Sequence, residues 1–325
     1  MITRGRLANV STHTAGAILL LGLAACGSEA DPDQANSSKE TVTITDSQDR
    51  KVDVPIEPEV VVATDWSVIR TLSDLGVKVD AAPASTGALP KDLTAYEDVP
   101  AVGDVFEPDY EAISAMEPDL VIVGSRSGTP EVVAEFEKFA PAVIDMSVRG
   151  EDPAEVWAET RERVTQLGEV FAVKDQATAK MDDLEQQLAD VRKQVEASDR
   201  TAMFVQVSEG TVGAYGASSR FGTIYEDFGY QPTDAPVDDE GSHGEEISQE
   251  FFVKYNPGAI FVLDRSKAIG QKDTPALDVL DNGLVARTDA AKDAKLIEVD
   301  GFSWYLAASA PSSWQQMIDD VRTSL

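Results

Sequence analysis

The sequence predicts an α/β fold of two Rossmann-like lobes, each built from parallel-sheet βα units, joined by a single long α-helix with a ligand cleft between them. Three observations carry this expectation. The stretch EAISAMEPDLVIVGSR, Glu111 to Arg126, returns as EFFVKYNPGAIFVLDR, Glu250 to Arg265; each copy has a short helical pattern, a Pro stop, an apolar run and a closing Arg. Apolar runs of buried-strand type alternate with helical patterns, the order a parallel sheet requires. Residues Lys174 to Ser198 read as one helix, rich in Ala, Glu, Gln, Lys and Leu and free of Gly and Pro.

Taken in order, ETVTITDSQDRKVDVP alternates apolar and polar residues on both sides of a turn, as a hairpin does. EVVVAT (Glu59 to Thr64) predicts a buried strand, SVIRTLSDLG a helix with a Gly stop, and VKVDAAP a second strand. In the first copy of the repeat, Asp109 is the expected N-cap of a helix and DLVIVGS a strand. TPEVVAEFEKF is a helix capped by Thr129 with Pro130 at its first position, and AVIDMS is a strand. Beyond the long helix, TAMFVQVSE and TVGAYG predict strands and RFGTIYEDFG a helix that Arg220 opens. The second copy follows: a helix capped by Ser248, the strand GAIFVLD, a helix opening with Thr274 and Pro275, and the strand KLIEV. PSSWQQMIDDVRTSL closes the chain as an amphipathic helix.

The first 25 residues predict a removable leader: Arg4 and Arg6 precede AGAILLLGLAA, which is shorter than the roughly 20 apolar residues of a membrane-spanning helix. The sole cysteine, Cys26, follows in LAACGS, which resembles the lipobox of bacterial lipoproteins, and one cysteine excludes an internal disulfide. Residues 26–40 are polar and aperiodic, a flexible tether. The expected organisation is leader 1–25, lipidated tether 26–40, N-terminal lobe 41–173, connecting helix 174–198 and C-terminal lobe 199–325. The chain holds 27 basic and 58 acidic residues for a net charge of -31; loss of Arg4 and Arg6 with the leader makes the remainder more negative still. Such a surface repels nucleic acid and anionic lipid.

In so acidic a chain a cluster of arginines is conspicuous. Arg126 and Arg265 close the two apolar strands, at the carboxyl ends where α/β sheets gather ligands. Arg220, after TVGAYG, is a third cation placed where a helix dipole disfavours it. Together they predict an anion-binding cleft, although each, taken singly, is also readable as a solvated side chain paired with an acid. Glu111 and Glu250 sit two positions past their N-caps, where acidic residues favour the helix start; one on each lobe, they also suit docking to a two-fold partner. His243, the single histidine outside the leader, lies in the Gly-rich DDEGSHGEEIS, and Tyr305 follows the carboxyl end of KLIEV. A phenolate is a hard ligand and imidazole a borderline one, a pair suited to Fe(III); stacking or hydrogen bonding is the plainer role for both. Trp66 and Trp304 are candidates for aromatic walls or for core.

These segments together (the lipobox, FEPDYEAISAMEPDLVIVGSR, GAYGASSRFGTIYEDFGY, SHGEEISQEFFVKYNPGAIFVLDR and WYLAAS) resemble the substrate-binding lipoproteins of iron-siderophore ABC importers, in the branch serving catecholate siderophores of the enterobactin and petrobactin kind. The resemblance covers the chain from about Glu40 onward. It implies that Arg126, Arg220 and Arg265 form the family's cationic triad. It also implies that His243 and Tyr305 complete the coordination of Fe(III) held by a linear bis-catecholate, and that Glu111 and Glu250 dock on a permease dimer. The implied protein is a monomer with no intrinsic cofactor, lipid-anchored to the outer face of the cell membrane. A binding protein for a hydroxamate or citrate ferric chelate, or for a corrinoid, is the alternative on the same fold. A secreted hydrolase is disfavoured because no G-x-S-x-G elbow is present, and a free Zn²⁺ or Mn²⁺ binder because one histidine is too few.

Overall fold

The computed structural model describes residues 40–150, 152–237 and 244–325. The leader, Cys26, most of the tether and His243 lie outside the described residues. Strands β1 (Thr41–Thr45) and β2 (Lys51–Pro55) pair as the expected antiparallel hairpin. Its turn docks on the first sheet: Ser47 N–H donates to the Asp145 carbonyl at 2.9 Å and Gln48 Nε2 to the Asp145 carboxylate at 3.0 Å.

The first sheet holds β3 (Val61–Ala63), β4 (Leu120–Val123) and β5 (Val143–Asp145), all parallel, in the order β3-β4-β5. Helices α1 (Trp66–Asp74), α2 (Tyr110–Ala115) and α3 (Pro130–Phe136) are its crossovers. Period-two alternation divides the strand residues between two faces. Val61, Ala63, Leu120, Ile122 and Ile144 join the main core with α1, whereas Val62, Val121, Val123 and Val143 join a second cluster with Ile113, Val133 and Phe136. This is why these strands read as unbroken apolar runs: both faces are covered.

Helices α4 (Val156–Val170) and α5 (Lys174–Ser198) lead to the second sheet. That sheet contains β6 (Thr201–Ser208), β7 (Thr211–Tyr215), β8 (Gln231–Pro232), β9 (Glu245–Glu246), β10 (Ala259–Asp264) and β11 (Leu296–Glu298). Its main order is β11-β10-β6-β7-β9; β11, β10 and β6 are parallel, and β7 runs antiparallel to both its neighbours. Helices α6 (Thr223–Glu226), α7 (Gln249–Tyr255), α8 (Arg265–Ala268), α9 (Ala276–Leu280), α10 (Asp289–Lys292) and α11 (Pro311–Thr323) complete the described α-helices. Again the faces alternate. Ala202, Phe204, Ala259, Phe261 and Leu263 join the main core, and Met203, Val205, Val207, Ile260 and Val262 join a separate cluster with Phe252, Ala276 and Leu280.

The main core is continuous from the first sheet through α1, α4, α5 and α11 to the second sheet. Helix α5 contributes Ala177, Met181, Leu184, Leu188, Val191 and Val195, spaced by three and four residues along one face. Polar contacts add to this seam. Arg70 of α1 donates to the Ser303 and Ser313 hydroxyls at 2.9 and 3.0 Å, and Ser312 N–H donates to the Asp74 carboxylate at 2.8 Å. Among the described residues no helix is long and apolar enough to cross a membrane.

Four local expectations need correction. VKVDAAP forms single bridges, Val62 with Ala81 and Ala82 with Ala101, rather than a strand. RFGTIYEDFG keeps helix only over Thr223–Glu226, because Ala217 to Gly222 fold as a turn, so Arg220 precedes the helix and does not open it. Pro275 is itself the N-cap of α9, not its first helical residue. Ser248 caps α7 by backbone conformation without a side-chain cap bond.

Candidate functional site

The two turns that carry Arg126 and Arg265 are held in place by buried aspartates. Asp65, fully buried, accepts from Ser67 N–H through Oδ1 at 2.8 Å as the N-cap of α1 and from Arg126 N–H through Oδ2 at 2.9 Å. Gly124 is required beside it: a Cβ there would stand 2.7 Å from the Asp65 Cβ. Ser127 tightens the same turn, accepting from Gly124 N–H at 3.1 Å and lying 3.0 Å from the Thr64 hydroxyl. On the second sheet Asp264 plays the equivalent part. Its carboxylate accepts from Lys267 N–H at 2.8 Å and from Ala276 N–H at 3.0 Å, fixing the turn that starts with Arg265.

Arg220 arrives differently. Because β7 is antiparallel, with Tyr215 opposite Phe204 and Thr211 opposite Ser208, its carboxyl end points away from those of β6 and β10. Arg220 therefore follows a strand that ends on the opposite side of its sheet from the one that Arg265 closes. Its turn doubles back and the side chain reaches the same point as the other two.

That point is Tyr305, which lies in a π-helical turn, Phe302–Leu306, whose wide winding is closed by the bond from Ala307 N–H to the Phe302 carbonyl at 2.8 Å. The Tyr305 carbonyl accepts from Arg126 Nη1 at 3.2 Å and from Arg220 Nη2 at 3.4 Å. The guanidinium carbons of Arg126 and Arg220 stand 5.0 and 4.7 Å from the phenol ring centre. Arg265 Nε donates to the phenol oxygen at 3.2 Å, and Arg265 Nη1 to the Ser208 hydroxyl at 3.3 Å. Among the described residues none of these three arginines forms an ion pair with a carboxylate, whereas Arg50, Arg70, Arg149, Arg161 and Arg192 all do.

Three cations with no carboxylate partner among the described residues perturb what they surround. Crowding by its neighbours strips water from the Arg220 guanidinium, though the residue keeps an exposed surface, and draws its pKa below the usual value; the positive charge of Arg126 adds to that, against the opposing pull of Tyr305. Burial alone would raise the Tyr305 phenol. The hydrogen bond from Arg265 and the charges of Arg126, Arg265 and Arg220 outweigh it, and the net shift is downward. Tyr96, Tyr110, Tyr215 and Tyr230 shift upward, burial being the first cause for each. An absorbance titration of the ligand-free protein is therefore expected to show Tyr305 ionising before those four, and Tyr305→Phe to remove its step. An unchanged titration curve would refute the placement of the cations.

The other candidate residues separate from this point. Trp304 is 3% exposed, donates from Nε1 to the Asp320 carboxylate at 2.8 Å and packs among Phe204, Phe228 and Phe261, so it is core and not a cleft wall. Trp66 is likewise buried, edge-on to Phe302 with ring centres 6.2 Å apart, and only its rim lines a depression with Ala84, Ser85 and Tyr96. Glu111 and Glu250 are exposed near the starts of α2 and α7. Sequence reasoning missed Asp65, Asp264 and Phe106, which is 66% exposed and has the Arg126 guanidinium carbon 5.2 Å from its ring centre.

A family model described as periplasmic binding protein matches residues 61–301. The chain belongs to this periplasmic binding protein family. It is similar to the petrobactin-binding protein YclQ of Bacillus subtilis (strain 168), 30% identical over 307 residues that cover 93% of this chain and 94% of the relative. The crystal structure of YclQ superposes with a TM-score of 0.79 over 88% of this chain and 99% of that one. The catecholate-siderophore binding protein VctP of Vibrio cholerae, 31% identical, gives a TM-score of 0.80 over 87% of this chain and all of its own. The ferric-anguibactin-binding protein FatB of Vibrio anguillarum (strain ATCC 68554 / 775) is 26% identical over 93% of each chain. The periplasmic binding protein fold is thus shared along nearly the whole described chain.

Proposed function

We propose that this periplasmic binding protein captures a ferric catecholate siderophore outside the cytoplasm and delivers it to the permease of an ABC importer. The observation that carries the proposal is the convergence of Arg126, Arg220 and Arg265 on Tyr305 with no carboxylate partner among the described residues. Uncompensated guanidinium groups on an acidic chain favour an anion, and catecholate oxygens bind Fe(III) as dianions, so their complexes carry net negative charge. Relatives named for petrobactin and for catecholate siderophores support the same chemistry.

In this reading the arginines offset the chelate's charge and Tyr305, its phenol pKa lowered, is poised to enter the iron's coordination sphere with His243 where a bis-catecholate leaves two positions open. Cys26 carries the lipid anchor, residues 41–173 and 199–325 form the two lobes around helix 174–198, and Glu111 and Glu250 meet a permease dimer. The protein acts as a monomer and brings no cofactor of its own; the iron complex is its cargo.

The test is a fluorescence titration of the full chain with ferric complexes of a bis-catecholate, a hydroxamate and citrate, and with a corrinoid. Quenching at sub-micromolar ferric catecholate with little response to the others is expected. Equal response to all would remove the catecholate assignment. A charge-transfer band that shifts in Tyr305→Phe is expected if the phenolate binds iron.

A further inference from the structure

Phe106 is the one large apolar side chain of the described residues, apart from the terminal Leu325, that stands exposed. It does not sit on a loose loop. Asp104 Oδ1 accepts from both Phe106 N–H at 2.7 Å and Glu107 N–H at 2.9 Å, and Asp104 N–H donates to the Glu107 carbonyl at 3.1 Å. Below this turn Gly103 bridges Pro108 at a φ of 82°, where a Cβ would come 2.3 Å from the Glu107 carbonyl oxygen. The chain thus holds an apolar ring in water on a rigid support. A lone exposed apolar residue needs no explanation by itself; what singles this one out is its neighbour.

The Arg126 guanidinium carbon lies 5.2 Å from the Phe106 ring centre and 5.0 Å from that of Tyr305, so one cation of the triad is in contact with two aromatic rings. An anion drawn to Arg126 therefore arrives beside an exposed aromatic face. In a metal catecholate the oxygens turn toward the iron and the rings turn outward, away from it. An outward ring of a chelate whose oxygens face the guanidinium groups is the part of the ligand that an exposed aromatic beside Arg126 would meet.

We infer that Phe106 is a specificity-determining residue of this site, stacking on an aromatic ring of the bound chelate and so favouring aryl-bearing ligands over aliphatic ones. The inference rests on the catecholate reading and deepens it. Aromatic pairs gain both from buried area and from offset or edge-to-face geometry, so an aliphatic side chain of similar volume replaces only part of the contact.

The experiment measures binding of the ferric complex of 2,3-dihydroxybenzoate to the full chain and to Phe106→Tyr, Phe106→Leu and Phe106→Ala. Each substitution is at an exposed position, and thermal melting checks that the ligand-free variants keep the fold. Phe106→Tyr is expected to bind as the parent does and Phe106→Leu more weakly. Phe106→Ala is expected to lose about tenfold, equivalent to about 1.4 kcal/mol. Parent-like affinity in Phe106→Ala, or in Phe106→Leu, overturns the inference and leaves the arginine site standing. So does a variant that binds the complex normally yet fails in uptake, because the ring would then serve the transporter. If the parent itself does not bind, the catecholate reading falls and this inference falls with it.

Discussion

Replacing Arg126, Arg220 or Arg265 by Gln is expected to weaken binding of a ferric catecholate by about tenfold to a hundredfold each, without unfolding the ligand-free protein. A hydrogen bond to a charged group contributes about 1.5–3 kcal/mol, and each 1.4 kcal/mol is a factor of ten. The same substitutions remove mutual repulsion in the empty site. Arg220 is the clearest case: it shares the Tyr305 carbonyl with Arg126 and is exposed, with no carboxylate partner among the described residues, so Arg220→Gln should melt close to or slightly above the parent temperature when no ligand is present. The ligand-induced rise in melting temperature should shrink in all three variants. A structural arginine behaves in the opposite way, costing stability and leaving affinity intact. Arg50, which pairs with the buried Asp46 and donates to the Val143 carbonyl at 3.0 Å, is the matched control. Isothermal titration with parallel melting curves separates the cases, and parent-like affinity in all three variants would end the anion-site interpretation. Raised salt should weaken binding in the parent more than in any variant, because screening acts on the charges removed.

How much of this is legible in the sequence depends on what sets each feature. The two arginines at strand ends are legible because a strand buried on both faces announces itself as an apolar run, and its end is then a position in the fold. The helix Lys174–Ser198 is legible for a similar reason: its apolar spacing and uninterrupted helix formers agree. Arg220 is harder. Its place among the other two depends on an antiparallel strand and a turn that doubles back, and nothing local to GAYGASSRFG fixes the direction in which β7 pairs. Trp304 and Tyr305 are adjacent, yet one faces the core and the other the arginines, a division made by the π-helical turn and invisible in the letters. Phe106 carries a faint signal, an apolar residue inside the turn sequence DVFEP, but only its distance to Arg126 gives it meaning. Asp65 and Asp264 are the most instructive omissions. Each precedes or opens a helix and is readable as an ordinary cap, while its second carboxylate oxygen does the work of fixing a turn elsewhere in the chain.

Asp65→Ala should therefore damage stability and binding together. The substitution removes the N-cap of α1, a loss of about 1 kcal/mol, and leaves the N–H of Arg126 without its acceptor in a part-buried turn, at a further cost of about 1–3 kcal/mol. An overall loss of about 2–4 kcal/mol in denaturant unfolding is the expected result. Released from Asp65, the Ser125 to Ser127 turn no longer holds the Arg126 backbone, and affinity for a ferric catecholate should fall about tenfold under conditions where the variant is still folded. Gly124→Ala approaches the same turn from the other side. Its new Cβ would stand 2.7 Å from the Asp65 Cβ, too close for carbon atoms, so the aspartate or the turn must move. The two variants should then resemble each other in binding although one deletes a hydrogen-bond acceptor and the other adds a methyl group. Loss of stability with undiminished affinity in both would reduce Asp65 to a helix cap and leave the placement of Arg126 to other contacts. A shared loss of affinity would establish that the guanidinium is positioned through its own backbone, by a carboxylate that never touches the ligand.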